Sequence, residues 1–391
     1  MSTGFATAFS EITLVLFTTL APSGAVAYAL MSLPIIRGRL SDDAHRRIDK
    51  ALCIPLIVSL VGLVASATHL GNPANALYVF MGVGRSPLSN EVFSAVIFLA
   101  FSGVYWLYSF AVKPRRLLQR LLAVGACVSA IACITAIAFA YSADTIITWN
   151  TPFSPLSLWV NALLGGPVLA ILGLRAARWK SRGNRFERLM LVLAVVALAA
   201  CLVVHVLQGA IVLPAENAVA SAGDLVPHYA LLVCVFAVFA AAGIAVDALS
   251  LFKTSVSREG RASPDEMTIS VVRASVAALL VLAGIFVMRF SFYMMHMTVG
   301  ISFKRSQLRA RRRQNPRPCD SKLFAAAGAG TFAHCQLLAP PTTIARPSPS
   351  LSLCRPFLHL SSALFAVFAA LRPTPFPFVA CRGIINATCV E

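Results

Sequence analysis

Eight apolar runs, each long enough to cross a lipid bilayer, constrain the fold of this chain more than any other feature. They lie near residues 10–33, 51–68, 92–112, 118–141, 153–174, 189–210, 228–251 and 274–296. A membrane helix needs about 20 apolar residues, and none of these runs alternates as a strand does. Helices satisfy their own backbone polar groups in lipid. The sequence therefore predicts an all-α polytopic membrane protein with eight transmembrane helices.

The composition agrees with a membrane protein and excludes a soluble enzyme. Hydrophobic residues make up 58% of the chain and charged residues 12%, against about 45–50% and about 25% in soluble domains. The net charge of +18 would fit a nucleic-acid partner, but the placement of the basic residues indicates a different role.

The basic residues of the apolar core alternate between loops along the sequence. The connections after spans 1, 3, 5 and 7 hold 19 Lys and Arg residues, whereas the other connections hold Arg85 alone. Cytoplasmic loops are enriched in Lys and Arg. We therefore expect both ends of the eight-helix core to face outward, with the basic residues setting topology and no nucleic acid bound.

The amino-acid composition changes near residue 303. Residues 1–303 form the predicted membrane domain, and residues 304–391 form a tail with 12 basic and 2 acidic residues, rich in proline and alanine. With eight spans this tail would begin outside, against the positive-inside trend. We interpret it as a disordered segment or an aberrant extension, and a basic tail that touches anionic lipid is the alternative.

Ionisable residues of the predicted spans gather at the outward face. Four histidines lie there, while a fifth, His45, falls in a predicted cytoplasmic loop; the four are His69, His205, His228 and His296. Glu91 starts span 3 at the same face. Ionisable residues in membranes are costly and usually functional, and a carboxylate with an imidazole can accept protons from a hydroxyl group.

Two simpler interpretations compete with this chemistry. Ser89 and Asn90 can cap the helix, and Glu91 would then only stabilise its first turn. The histidines could instead ligate haem, but the inner halves of the spans offer no histidine, which disfavours a two-haem path across the membrane and leaves a single haem at the outer face open. The core cysteines lie in apolar runs without a CxxC pair, so we expect no iron–sulfur cluster in this chain.

Several short motifs follow one another along the apolar core in a specific order. They include His69-Leu70-Gly71 with Pro73, Leu88-Ser89-Asn90-Glu91, Gly165-Gly166-Pro167, Gln208-Gly209-Ala210 and His296-Met297-Thr298-Val299-Gly300. In this order the motifs resemble the dimethyl sulfoxide reductase membrane anchor subunit family over roughly residues 8–301.

The resemblance implies a haem-free anchor in the bacterial cytoplasmic membrane that oxidises menaquinol. It also implies two partners, an iron–sulfur electron-transfer subunit and a molybdopterin catalytic subunit. The family's catalytic His and Glu fall on His69 and Glu91, and the quinol-binding set adds Gly71, Pro73 and Arg85. Some members carry arginine where this protein has Asn75.

Two other functions stay open from the sequence. One is an anchor of the polysulfide-reductase type. The other is a secondary transporter, because helices broken by Gly and Pro can form one. Against a transporter, the ionisable residues cluster at one face, we expect no polar group at mid-membrane, and no inverted repeat is evident.

Overall fold

The computed structural model describes residues 4–38, 40–69, 73–179, 181, 184–217, 220–256 and 264–297. Within these ranges the protein is helical and forms no extended strand, which confirms the predicted fold class. The predicted tail at 304–391 lies outside the described residues, as does Gly71.

Eleven α-helices and one 3-10 helix are present in the described ranges. They are α1 Gly4–Ser10, α2 Ile12–Arg37, α3 Asp42–Ala51, α4 Cys53–Thr68, a 3-10 helix Pro73–Gly82, α5 Pro87–Tyr108, α6 Arg116–Ala140, α7 Phe153–Ala176, α8 Arg185–Val212, α9 Ala222–Leu225, α10 Tyr229–Val256 and α11 Pro264–Met294.

Eight helical segments in the described part of the protein are long and apolar enough to span a membrane. Seven of them are single helices, and the second combines α3 and α4 over Asp42–Thr68. His45 therefore lies in a helix and is buried, so its assignment to a loop was wrong. The polar segment that forms α3 was taken for a loop, because α3 carries charged residues on the side that faces away from the bundle.

Helices α2 and α7 form the centre of the bundle and are buried over most of their length. They approach closely at Gly166, where a Cβ atom would collide with the side chain of Val26. Small residues permit such approaches between membrane helices. The other spans pack around this pair and expose aliphatic side chains, as lipid-facing helices do.

Contacts between helix ends define two opposite faces of the bundle. At one face the start of α2 meets the end of α4, and Thr148, beyond α6, donates to the Met295 carbonyl, beyond α11. We name this end the N-terminal face. At the other, basic face, Arg47 of α3 donates to the Ala177 carbonyl at the end of α7.

Buried charges occur at the basic face as well as at the N-terminal face. Arg175 forms an ion pair of 2.9 Å with Asp247 and lies 3.8 Å from Glu187. Asp49 accepts a hydrogen bond of 2.6 Å from the Tyr105 hydroxyl. The expectation that ionisable residues of the spans gather at one face only was therefore wrong. Pairing makes these buried charges tolerable in an apolar bundle.

Candidate functional site

His69 lies at the N-terminal face, directly after α4, with its side chain 44% exposed. Its Nε2 atom is 3.2 Å from Oε2 of Glu11, which connects α1 to α2. This distance is that of an ion pair. Glu11 Oε2 receives no hydrogen bond of regular geometry from the described residues. Sequence reasoning joined His69 to Glu91, whereas the structure places Glu11 beside the imidazole.

Glu91 lies on α5 and is only 4% exposed. The helix begins at Pro87, preceded by Ser86 in an extended conformation, so Glu91 is beyond the first turn. The predicted cap at Ser89 and Asn90 was therefore wrong: Asn90 Oδ1 instead accepts a 2.7 Å hydrogen bond from the Gly84 N–H. A helix-capping role does not explain why Glu91 is an acid.

A buried cation occupies the same end of the bundle. Arg289 of α11 is 1% exposed, and its Nε donates a 3.0 Å hydrogen bond to Thr18 Oγ1 on α2. Its guanidinium lies over three aromatic rings, with the carbon 4.4 Å from the centroid of Phe292 and 5.7 Å from those of Tyr141 and Tyr293. We name these five residues the Arg289 cluster.

Tyr141 links this cluster to Glu91. Burial raises the pKa of the Tyr141 phenol well above its usual value, and the neighbouring Tyr293 and the negative charge of Glu91 raise it further, whereas Arg289 acts in the opposite direction. Sequence analysis missed Arg289 because a single arginine in an apolar run does not interrupt the predicted span.

The other outward histidines have separate environments. His205 is buried, with Nε2 3.3 Å from Asn161 Oδ1, while His228 is exposed with a positive φ of 63°. His296 packs against Trp149, at 5.1 Å between ring centroids. Burial lowers the pKa of His296, and the charge of Glu11 opposes this change. The structure thus brings His69 and Glu11 together and sets His205 in the interior.

The remaining residues of the predicted quinol-binding set are only partly described. Arg85 is exposed in the turn that precedes α5, where its backbone N–H donates to the Gly82 carbonyl. Pro73 begins the 3-10 helix that leads to this turn, and only its backbone is described. Gly71 falls outside the described residues. These positions lie in the connection from His69 to Glu91, as the sequence indicated.

A cavity of about 520 Å³ lies elsewhere on the N-terminal half of the bundle, between α8 and α10. Its lining is apolar and includes Gly209, Leu213 and Val233, with Tyr229 beside them. Neither His69 nor Glu91 lines it. Its chemistry suits a hydrocarbon tail, and it offers no proton acceptor, so we place the candidate site at the ionisable residues and not in this cavity.

Together, the N-terminal face holds two ionisable groups in different settings. One is the half-exposed imidazole of His69 beside Glu11, and the other is the buried carboxyl group of Glu91 on α5. Within the described ranges, no three His, Cys, Asp or Glu side chains converge as a group that could hold a metal ion. An imidazole and a carboxylate are groups that accept protons from a hydroxyl group.

The eight spans and the buried ionisable residues define a multi-pass membrane subunit. The sequence profile of the family DMSO reductase anchor subunit (DmsC) matches residues 2–295. The protein belongs to this family, and it is a multi-pass bacterial membrane protein that anchors a dimethyl sulfoxide reductase complex.

Two relatives from Escherichia coli (strain K12) match over almost their whole length. Anaerobic dimethyl sulfoxide reductase chain YnfH is 32% identical over 75% of this protein and 97% of its own length. A second anaerobic dimethyl sulfoxide reductase subunit of that organism is 29% identical over the same shares. A subunit of the bd oxidase from Geobacillus thermodenitrificans aligns with a TM-score of 0.47 and 14% identity, covering 79% of this protein and 95% of that subunit.

Proposed function

We propose that this anchor oxidises menaquinol at its N-terminal face and passes the electrons to an iron–sulfur subunit. The observation that carries the proposal is Glu91, a carboxylate that is 4% exposed and lies beyond the capping turn of α5. A buried acid is costly in a membrane protein, so a catalytic role is its most direct explanation.

The chemistry requires two proton acceptors and one electron acceptor. Each menaquinol loses two electrons and two hydroxyl protons as it becomes menaquinone. Glu91 and His69 would each take one proton, directly or through water, since both lie at the same face. The electrons would leave through a cluster of the partner subunit, and no redox group of the anchor takes part. We therefore expect the anchor to contain no haem.

The orientation of the bundle follows from its charges. The basic face carries the loops that the positive-inside rule assigns to the cytoplasm. The N-terminal face would then face outward, and the iron–sulfur subunit and the molybdopterin subunit would bind there, close to the quinol. The two relatives from Escherichia coli are dimethyl sulfoxide reductase subunits, which supports a terminal reductase as the partner.

The proposal is tested by two electron donors that reach the assembled complex by different routes. Menaquinol must pass through the anchor, whereas a reduced dye donates directly to the partner subunits. We expect His69→Ala to lower menaquinol-driven reduction and to weaken the binding of a quinol analogue, while dye-driven reduction per complex stays unchanged. Unchanged menaquinol activity and analogue binding would remove His69 from the site.

A further inference from the structure

Glu11 is an acidic side chain at ion-pair distance from His69, and the sequence motifs did not single it out. Its Oε2 atom lies 3.2 Å from the Nε2 atom of His69. That oxygen is buried, although 31% of the Glu11 side chain is exposed. The Glu11 side chain therefore turns one oxygen toward the imidazole while other parts of it reach the surface of the N-terminal face.

The backbone holds Glu11 in place where α1 joins α2. Its N–H donates to the Thr7 carbonyl, and its own carbonyl accepts from the N–H groups of Leu14 and Val15 at 2.9 and 3.0 Å. The Glu11 side chain makes no capping hydrogen bond at the start of α2. The helix dipole favours an acid at this position by about 0.3–1 kcal/mol, but this benefit does not explain why the carboxyl group contacts His69.

Close packing of the antiparallel helices α2 and α4 brings the two side chains together. At Gly62 of α4 a Cβ atom would collide with the backbone of Ala21 on α2. Glu11 precedes the start of α2, where a helix dipole favours an anion, and His69 follows the end of α4, where it favours a cation. The packing therefore suits a carboxylate beside an imidazolium, which is the state that forms when His69 has taken a proton.

We propose that Glu11 receives the proton from His69 and releases it to water at the N-terminal face. The quinol O–H bond breaks as an N–H bond forms on the imidazole. The Nε2–H bond then breaks as an O–H bond forms on Glu11 Oε2, and Glu11 returns to the carboxylate when water takes the proton. The electrons leave separately to the partner subunit. This inference rests on the proposed function of His69 and adds the way out for its proton.

The test measures menaquinol-driven turnover divided by dye-driven turnover in the assembled complex. We expect Glu11→Gln to lower this ratio about tenfold, less than the about 10²–10⁴-fold of a general acid–base group, because water can partly replace Glu11. Glu11→Asp keeps a carboxylate and should retain more activity than Glu11→Gln. The affinity for a quinol analogue should stay unchanged, since Glu11 does not contact the quinol. Glu216→Gln, at an exposed glutamate, is the matched control.

Rescue by a small acid provides a measurement that a purely structural role of Glu11 would not affect. Glu11→Ala removes the side chain beside the half-exposed imidazole, so acetate in the buffer can reach His69 and take its proton. We expect acetate to raise the turnover ratio of Glu11→Ala at least about threefold and to leave His69→Ala unchanged. The same complexes are measured before and after the addition, so differences in assembly cancel.

The two residues must also act in series. In a His69→Ala background we expect Glu11→Gln to cost less than about twofold, because no imidazole proton is left for Glu11 to receive. An unchanged ratio in Glu11→Gln, an equal loss in both backgrounds, or no rescue of Glu11→Ala by acetate would overturn the inference. The proposed function survives each of these results if His69→Ala alone is impaired, whereas full menaquinol activity in His69→Ala would refute both.

Discussion

Glu91→Gln separates a proton acceptor from a structural side chain. Glutamine has the same shape and can still hydrogen-bond a quinol hydroxyl, but it cannot take its proton. Glu91 is 4% exposed, and glutamine fills the same space in the packed interior. We therefore expect a stability change of about 1 kcal/mol or less and a large effect on turnover.

The size of the turnover effect follows from the chemistry of proton transfer. General acid–base groups contribute about 10²–10⁴-fold, and His69 with Glu11 provides a second acceptor at the same face. We expect menaquinol-driven reduction to fall at least about tenfold, which corresponds to about 1.4 kcal/mol in the activation barrier. The affinity for a quinol analogue should change less than the turnover.

The assay measures reduction per mole of membrane-bound partner subunit, first with menaquinol and then with a reduced dye. Glu216→Gln is a matched control, since Glu216 is an exposed glutamate of the connection between α8 and α9. Dye-driven activity should be equal in all three proteins. Equal menaquinol activity in Glu91→Gln and the unmodified complex would refute the reasoning.

Three further outcomes are expected from other parts of the molecule. A reduced-minus-oxidised spectrum of the purified anchor should show no b-type haem band, and a clear band would contradict an electron path without haem. Ending the protein after Ser302 should preserve assembly and menaquinol oxidation, because the composition changes abruptly there; loss of the complex from membranes would show that the tail is needed. Asp247→Ala should lower the free energy of unfolding of the anchor by about 3 kcal/mol or more, because Arg175 then stays buried without its 2.9 Å ion pair. An unchanged melting curve would disprove this.

The number and approximate positions of the spans were predictable because each apolar run is long enough to be read without tertiary information. The exact ends of the helices were harder to predict from the sequence. Helix α5 begins at Pro87 because proline is favoured in the first helical turn, whereas the apolar run alone places the start of this span near residue 92. This shift of about one turn moves Glu91 from a capping position into the buried part of the helix.

The pairing of site residues could not be derived from the sequence alone. Glu11 and His69 are 58 positions apart and meet because α2 and α4 pack against each other at the N-terminal face. Arg289 lies within a long apolar run, where one charge has little effect on mean hydropathy. Its contacts with Thr18 and Tyr141 join three distant parts of the sequence, so they depend on tertiary packing.

The most direct test of quinol oxidation at the N-terminal face is the side on which protons appear. In proteoliposomes with a defined orientation, menaquinol-driven turnover can be followed with pH indicators inside and outside the vesicle. The account predicts two protons per quinol on the side of the N-terminal face and none on the side of the basic face. Proton release on the side of the basic face would contradict it.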